Sequence, residues 1–259
     1  MADRHVGFER QGDVGVVVVD SPPLNLWTPE LHADLEGALD EAESENVRAL
    51  VLRAEGRAFT GGVDVQHFQG KTPDEADEIF QALVRVVRRL EDLPLPTLAS
   101  VHALCLTWGL EVSLGCDLIF AAESARFGLV EKVVGLTPAG GGTQRLAERA
   151  GPARARELVM SGELFDAATL ERWNVVNRVF PDERLAEETM KFATELAAGP
   201  TLAHAATKRL VRVAVDEGAR AADDRIRDIA SALFDTEDLQ GAVDSFLSDG
   251  PGKAGFKGS

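Results

Sequence analysis

The order of residue patterns along the chain constrains its fold more than any single motif. Residues 14–20 (Val-Gly-Val-Val-Val-Val-Asp) form a β-branched run closed by Gly and Pro, and residues 47–54 form another, so both read as strands. Between them Thr28, ahead of Pro29 and Glu30, has the chemistry of an N-cap and opens a helix with Leu31, Leu35 and Leu39 on one face. A second helix is predicted over residues 73–93, followed by a strand at 98–102, a buried helix at 108–115 and a strand at 117–122. Strands that alternate with helices imply an α/β core of parallel strands joined by right-handed crossovers. Beyond Gly142 the pattern is mostly helical, with segments at 143–149, 152–161, 167–173, 183–198 and 202–217 and two more reaching about residue 247. We therefore expect an α/β core over residues 1–200 and a C-terminal helical region and tail over 201–259. The tail from Asp249 to Ser259, rich in Gly, Pro and Lys, is expected to be loosely ordered unless a partner or ligand holds it.

Composition narrows the function. The chain has 259 residues, enough to bury a large core, and 27 basic against 43 acidic residues give a net charge of −16. Such a balance argues against a general nucleic-acid or anionic-membrane surface, so an anionic ligand needs a local cluster of Arg or Lys. No run approaches the roughly 20 apolar residues needed to span a bilayer. The opening Met-Ala-Asp-Arg-His lacks a basic-then-apolar export signal, and only two cysteines occur, Cys105 and Cys116; a reduced, cytoplasmic setting with buried, inert thiols is expected.

Chemistry is suggested by two glutamates. Glu111 and Glu131 each follow a place where backbone N–H groups could be left unpaired. Gly61 and Gly62 allow a sharp turn after a strand, which would free the N–H of Val63 to meet a ligand oxygen. The helix that starts after Thr107 exposes its first N–H groups and the positive end of its dipole, and Glu111 lies one turn further on, able to face the same pocket. Two carboxyls held close together cannot both ionise easily, which suits one of them to keep a proton for transfer.

These segments, Glu-Gly-Arg-Ala-Phe-Thr-Gly-Gly-Val-Asp-Val at 55–65, Val-His-Ala-Leu-Cys-Leu-Thr-Trp-Gly-Leu-Glu at 101–111, and Ala-Arg-Phe-Gly-Leu-Val-Glu at 125–131 leading to Pro-Ala-Gly-Gly-Gly-Thr-Gln-Arg-Leu at 138–146, resemble the motifs of the enoyl-CoA hydratase/isomerase (crotonase) superfamily in order and spacing. The resemblance implies a crotonase (ClpP-like) spiral of ββα units with a C-terminal helical trimerisation layer. It also implies an oxyanion hole formed by the N–H groups of Val63 and Trp108, with Glu111 helping to activate a water for attack at Cβ and Glu131 delivering the α-proton. Substrate-binding positions carried over are Arg57, Ala58, Gly61, Gly62, Asp64 and Val65, together with Lys253, Phe256 and Lys257, which resemble the family's C-terminal end near the CoA phosphates. The implied substrate is an acyl-CoA thioester, with no cofactor beyond the coenzyme A it carries, no metal, and a homotrimer or dimer of trimers as the assembly. Hydration of a 2-enoyl-CoA is the expected reaction; a Δ3,Δ2-enoyl-CoA isomerase and a non-catalytic acyl-CoA-binding protein are the alternatives.

Where many hydratases have three glycines this chain has Thr107-Trp108-Gly109, and the Trp108 side chain either borders the acyl site or packs into the core. The run of glycines from Gly140 to Gly142 reads as a packing turn that starts a helix, since no Gly-Lys-Ser/Thr follows. His67 near Asp64 reads as a surface-loop residue, and Cys116 beside Asp117 as a buried thiol. No Gly-x-Ser-x-Gly elbow and no metal-ligand spacing occurs.

Overall fold

The computed structural model describes residues 4–259; Met1, Ala2 and Asp3, where the segment read for an export signal begins, lie outside it. Among the described residues nine strands form two sheets: β1 (Val6–Gln11), β2 (Val14–Val19), β3 (Ala49–Ala54), β4 (Thr97–Val101), β5 (Leu104–Leu106), β6 (Leu118–Ala122), β7 (Arg126–Gly128), β8 (Phe165–Asp166) and β9 (Arg178–Phe180). The larger sheet runs β1-β2-β3-β4-β6-β9, and the smaller β5-β7-β8. Helices α1 (Pro29–Ser44), α2 (Pro73–Asp92) and α3 (Trp108–Leu114) lie within the strand-rich part. They are followed by α4 (Gly142–Ala150), α5 (Pro152–Ser161), α6 (Ala167–Arg172), α7 (Leu185–Ala197), α8 (Thr201–Glu217), α9 (Ala219–Ile229) and α10 (Glu237–Asp249).

The local causes match the sequence chemistry. The Thr28 hydroxyl accepts from the Leu31 N–H at 3.2 Å, and Thr72 with Glu75 forms a reciprocal capping box at the start of α2. β2 is buried at every position, as expected of a strand covered on both faces, and it pairs parallel to β3 with Val16 opposite Val51. β4 and β6 continue the parallel pairing, and α7 packs across the sheet.

The expectation of parallel strands is corrected at an edge of each sheet: β8 pairs antiparallel to β7 in the smaller one. β1 pairs antiparallel to β2 across a tight turn at Gly12. Its pattern Val-Gly-Phe-Glu-Arg-Gln is half solvated, as edge strands are, so it lacks the continuous apolar run that revealed β2. The expectation of a loose tail is also corrected: the chain itself holds the tail. The two carboxylate oxygens of Asp238, 7% exposed, accept from the N–H groups of Lys257 and Gly258 at 2.7 and 2.8 Å, and Arg48 Nη1 donates to the Phe256 carbonyl at 2.9 Å. Backbone polar groups satisfied by a buried charge are ordered regardless of Gly and Lys content.

Two further consequences position the site. Because β3 and β4 are parallel neighbours, the segments that follow them emerge at the same end of the sheet, the usual place for a ligand crevice in α/β sheets. Arg48, which anchors the tail, precedes β3 and so stands at the other end, about 20 Å away along a six-residue strand. Among the described residues, no helix is long and apolar enough to cross a membrane.

Candidate active site

The segment after β3 is fixed before it reaches the cleft. Asn25 Nδ2 donates to the carbonyls of Glu55, Ala58 and Phe59 at 2.9, 2.9 and 3.2 Å, stapling residues 55–59 from below. Thr60 then bridges to the second segment: its N–H donates to Leu104 and its carbonyl accepts from Leu106. Trp27 pairs with the next turn, its N–H donating to the Gly62 carbonyl and its carbonyl accepting from Asp64. In such a parallel bridge the residue between the two bonded neighbours faces its own N–H outward. The Val63 N–H accordingly has no acceptor among the described residues.

The second donor comes from α3. Thr107 is held at φ 46, ψ −116, a conformation that costs a β-branched residue about 1–3 kcal/mol and persists only where the surroundings impose it. Its N–H is fixed by the Gly128 carbonyl at 2.8 Å. The Trp108 N–H follows at the first position of the helix, where no intrahelical acceptor exists. Gly109 is required by close approach, since a Cβ there would stand 1.8 Å from Thr60 Cγ2. Gly109→Ala is therefore expected to force the two donor segments apart, with about 1–3 kcal/mol lost and activity reduced together, as thermal melting and turnover would report.

Glu111 and Glu131 meet at this point. All seven residues of α3 are buried, Glu111 included. β5 and β7 are parallel, with Leu106 opposite Gly128, so the chain leaving β7 runs beside the start of α3 and brings in Glu131 at the head of a 3-10 turn (Glu131–Val134). Glu111 Oε1 accepts from the N–H groups of Gly140 and Gly142 at 2.9 and 3.0 Å, while Glu131 Oε2 is buried with no partner among the described residues. Desolvation raises the Glu111 carboxyl from 4.5 to about 7, opposed by the Gly142 and Gly140 amides and by Arg145. Desolvation, reinforced by the charge of Glu111, likewise raises Glu131 to about 7. Each carboxyl can thus be either protonated or ionised near neutral pH, as proton transfer requires.

Both glutamates open onto a cleft of about 210 Å3 that, Thr107 aside, is otherwise apolar: Val63, Phe68, Phe80, Leu83, Val130 and Leu136 are among its walls. The Phe68 and Phe80 rings meet edge-on at 6.2 Å. Gly61 and Val65 also line the cleft, Gly62 packs against Thr107, and Asp64 caps the 3-10 turn that carries Val65. Ala58 is buried under the Asn25 staple, and Arg57 is exposed at the start of the same loop. Lys253, Phe256 and Lys257 are not brought to this cleft by their own chain, because the tail docks beside Arg48 at the other end of β3.

The Trp108 indole belongs to the core, 2% exposed and absent from the cleft wall. The glycines at 140–142 do more than start a helix. The Gly140 and Gly142 amides hold Glu111, and a Cβ at either would stand 2.7 or 2.8 Å from atoms of that side chain. Sequence reading found the turn and missed this role; three consecutive glycines 29 to 31 residues after a buried glutamate were the available signal. Cys116 is buried, its thiol pushed up to about 12 by desolvation and by Asp117. His67 is half-buried, stacked edge-on against Trp27.

The enoyl-CoA hydratase/isomerase family matches residues 9–257, and the chain belongs to that family. A 1,2-epoxyphenylacetyl-CoA isomerase of Escherichia coli (strain K12) is 31% identical over 87% of this chain and 88% of its own. A 2,3-dehydroadipyl-CoA hydratase of the same organism is 31% identical over 86% of each. The crystal structure of an enoyl-CoA hydratase subunit I from Geobacillus kaustophilus HTA426 superposes with a TM-score of 0.92 at 34% identity, covering 98% of both chains. The protein is thus a crotonase-fold enzyme with a hydratase/isomerase role. Two relatives of equal identity carry different reactions, so the reaction itself must be argued from the site.

Proposed function

We propose that the protein adds water across the double bond of a 2-enoyl-CoA. The observation that carries this reading is the pair of buried carboxyls on one cleft, together with the Val63 and Trp108 N–H groups, which have no acceptor among the described residues. The thioester oxygen accepts from the N–H groups of Val63 and Trp108, which stabilises the enolate formed as a nucleophile reaches Cβ; losing one such donor typically costs about 3–4 kcal/mol in the transition state. Ionised Glu111, its Oε1 fixed by Gly140 and Gly142, orients and deprotonates the water, and protonated Glu131 supplies the α-proton. An isomerase needs one shuttling carboxyl, and the second, held by two amides, favours hydration.

The cleft wall supports an apolar acyl group. Apart from Thr107 and the two glutamates it carries no polar side chain, so a chain ending in a carboxylate would be desolvated without a counter-charge. Arg57, at the start of the oxyanion loop, is a candidate for the CoA phosphates. Lys253, Phe256 and Lys257 can reach a CoA only on a neighbouring subunit. A trimer, single or stacked, is supported by exposed apolar side chains on the C-terminal helices, including Val211, Phe246 and Leu247. The test is incubation with a panel of 2- and 3-enoyl-CoAs, following the conjugated thioester absorbance in both directions. The reading requires its loss with apolar 2-enoyl chains and little change with 2,3-dehydroadipyl-CoA; absorbance that only grows, from 3-enoyl substrates, would indicate the isomerase.

A further inference from the structure

Behind Glu111, away from the cleft wall, a chain of ion pairs runs from the buried Arg145 through Glu91 out to the partly exposed Arg212 and Asp216. Arg145 of α4 is 7% exposed; its Nε and Nη2 donate to the two carboxylate oxygens of Glu91 at 2.7 and 2.5 Å, and its Nη1 donates to the Gly141 carbonyl at 3.2 Å. Arg212 of α8 donates to Glu91 Oε1 from the other side at 3.0 Å, and to Asp216 at 2.8 Å. Gly141 is the residue between the two whose amides bind Glu111. Its φ of 102, and a Cβ position only 2.1 Å from Arg145 Nη1, leave room for glycine alone while the guanidinium is in place.

We propose that Arg145 is a positioning residue for the reaction: by holding the Gly141 carbonyl it aims the flanking N–H groups at Glu111 Oε1, while Glu91 and Arg212 tie that turn to α2 and to the C-terminal helical layer. A guanidinium suits this because its planar fork engages a carboxylate at two points and still presents a further N–H to the carbonyl. The proposal rests on the hydratase reading for the reaction assayed, but the arrangement around Glu111 is independent of it. Of the charged groups packed around α3, Glu131 faces Glu111 across the cleft and Arg145 faces it from α4. Glu91 and Arg212 stand one step behind. Arg149 is turned to the Leu114 and Cys116 carbonyls at the far end of α3, and Lys208 pairs with Asp117 beyond it.

The test uses the full-length protein, with hydration kinetics measured across pH and, separately, carbon-13 NMR titration of the Glu111 carboxyl without substrate. Arg145→Met leaves Glu91 paired with Arg212. It should lower kcat by about 10- to 100-fold, since small misplacements of a catalytic group cost this much. KM should stay within about twofold, and both the acid limb of kcat and the Glu111 titration should move to higher pH, because a nearby positive charge is lost. Glu91→Gln keeps Arg145 but removes its counter-charge; kcat should fall while the titration moves to lower pH. If Arg145→Met does not fold, Glu91→Gln decides. An unmoved titration with kcat unchanged, or lower kcat explained by a lower thermal midpoint with the acid limb unmoved, would overturn the proposal. Lack of hydration by the unmodified protein would instead refute the reaction assignment, and the titrations would still report on Arg145.

Discussion

Glu131→Gln and Glu111→Gln are each expected to lower hydration turnover by about 10²- to 10⁴-fold while acyl-CoA affinity changes little, because the interaction lost is proton transfer and not ground-state binding. The same variants should be more stable than the unmodified protein at alkaline pH. The folded state raises both carboxyls from 4.5 to about 7, so it binds those protons more tightly than the unfolded chain. Stability is therefore lost as pH rises from about 4.5 through 7, when the buried groups must ionise. Gln removes that penalty, and in Glu111→Gln its amide oxygen can still accept from Gly140 and Gly142. A gain on the order of 1–3 kcal/mol at pH 8, fading below pH 5, is the expected result from denaturant unfolding at several pH values. Equal stability at every pH would mean that these carboxyls are solvated in the folded protein.

Trp108→Ala should destabilise by about 3–5 kcal/mol and leave the acyl-chain preference unchanged. The indole is 2% exposed and buried among core residues, and the donor assigned to the oxyanion hole is the backbone N–H, which any substitution except Pro retains. That loss is a large share of the roughly 5–15 kcal/mol by which a domain is stable. Trp108→Phe keeps most of the volume and removes an indole N–H that is buried without a partner among the described residues, so it should be far milder. A change in chain-length profile with an unaltered thermal midpoint would place the indole at the substrate instead.

What could be read from the sequence follows a physical division. Strands buried on both faces, such as β2, and helices with strong caps, such as α1 and α2, carry their signal locally; the bounds of β2 and α2 and the start of α1 are legible to within one or two residues. β5, β7 and β8 are two or three residues long and exist because distant segments meet, so no local periodicity announced them. The site divides in the same way. Glu111 and Glu131 could be picked out by their place in recognisable segments. What fixes the site around them was not: the Asn25 staple on residues 55–59, the strained Thr107 and the Gly140 and Gly142 amides act across 20 to 35 residues of sequence. The tail failed for a related reason. Its composition favours disorder, and only the folded chain reveals that the Asp238 carboxylate collects its amides.

In the proposed hydration the two glutamates place a water oxygen on Cβ and a proton on Cα of a 2-enoyl-CoA. Reaction of a short apolar 2-enoyl-CoA in oxygen-18 water, and separately in deuterium oxide, tests it by mass spectrometry of the thioester product. The expected product is a 3-hydroxyacyl-CoA carrying one heavy oxygen in the first experiment and one non-exchanging deuterium at the α-carbon in the second, both slowed by orders of magnitude in Glu131→Gln. Deuterium uptake with no incorporation of heavy oxygen would contradict it and assign the carboxyls to proton shuttling without hydration.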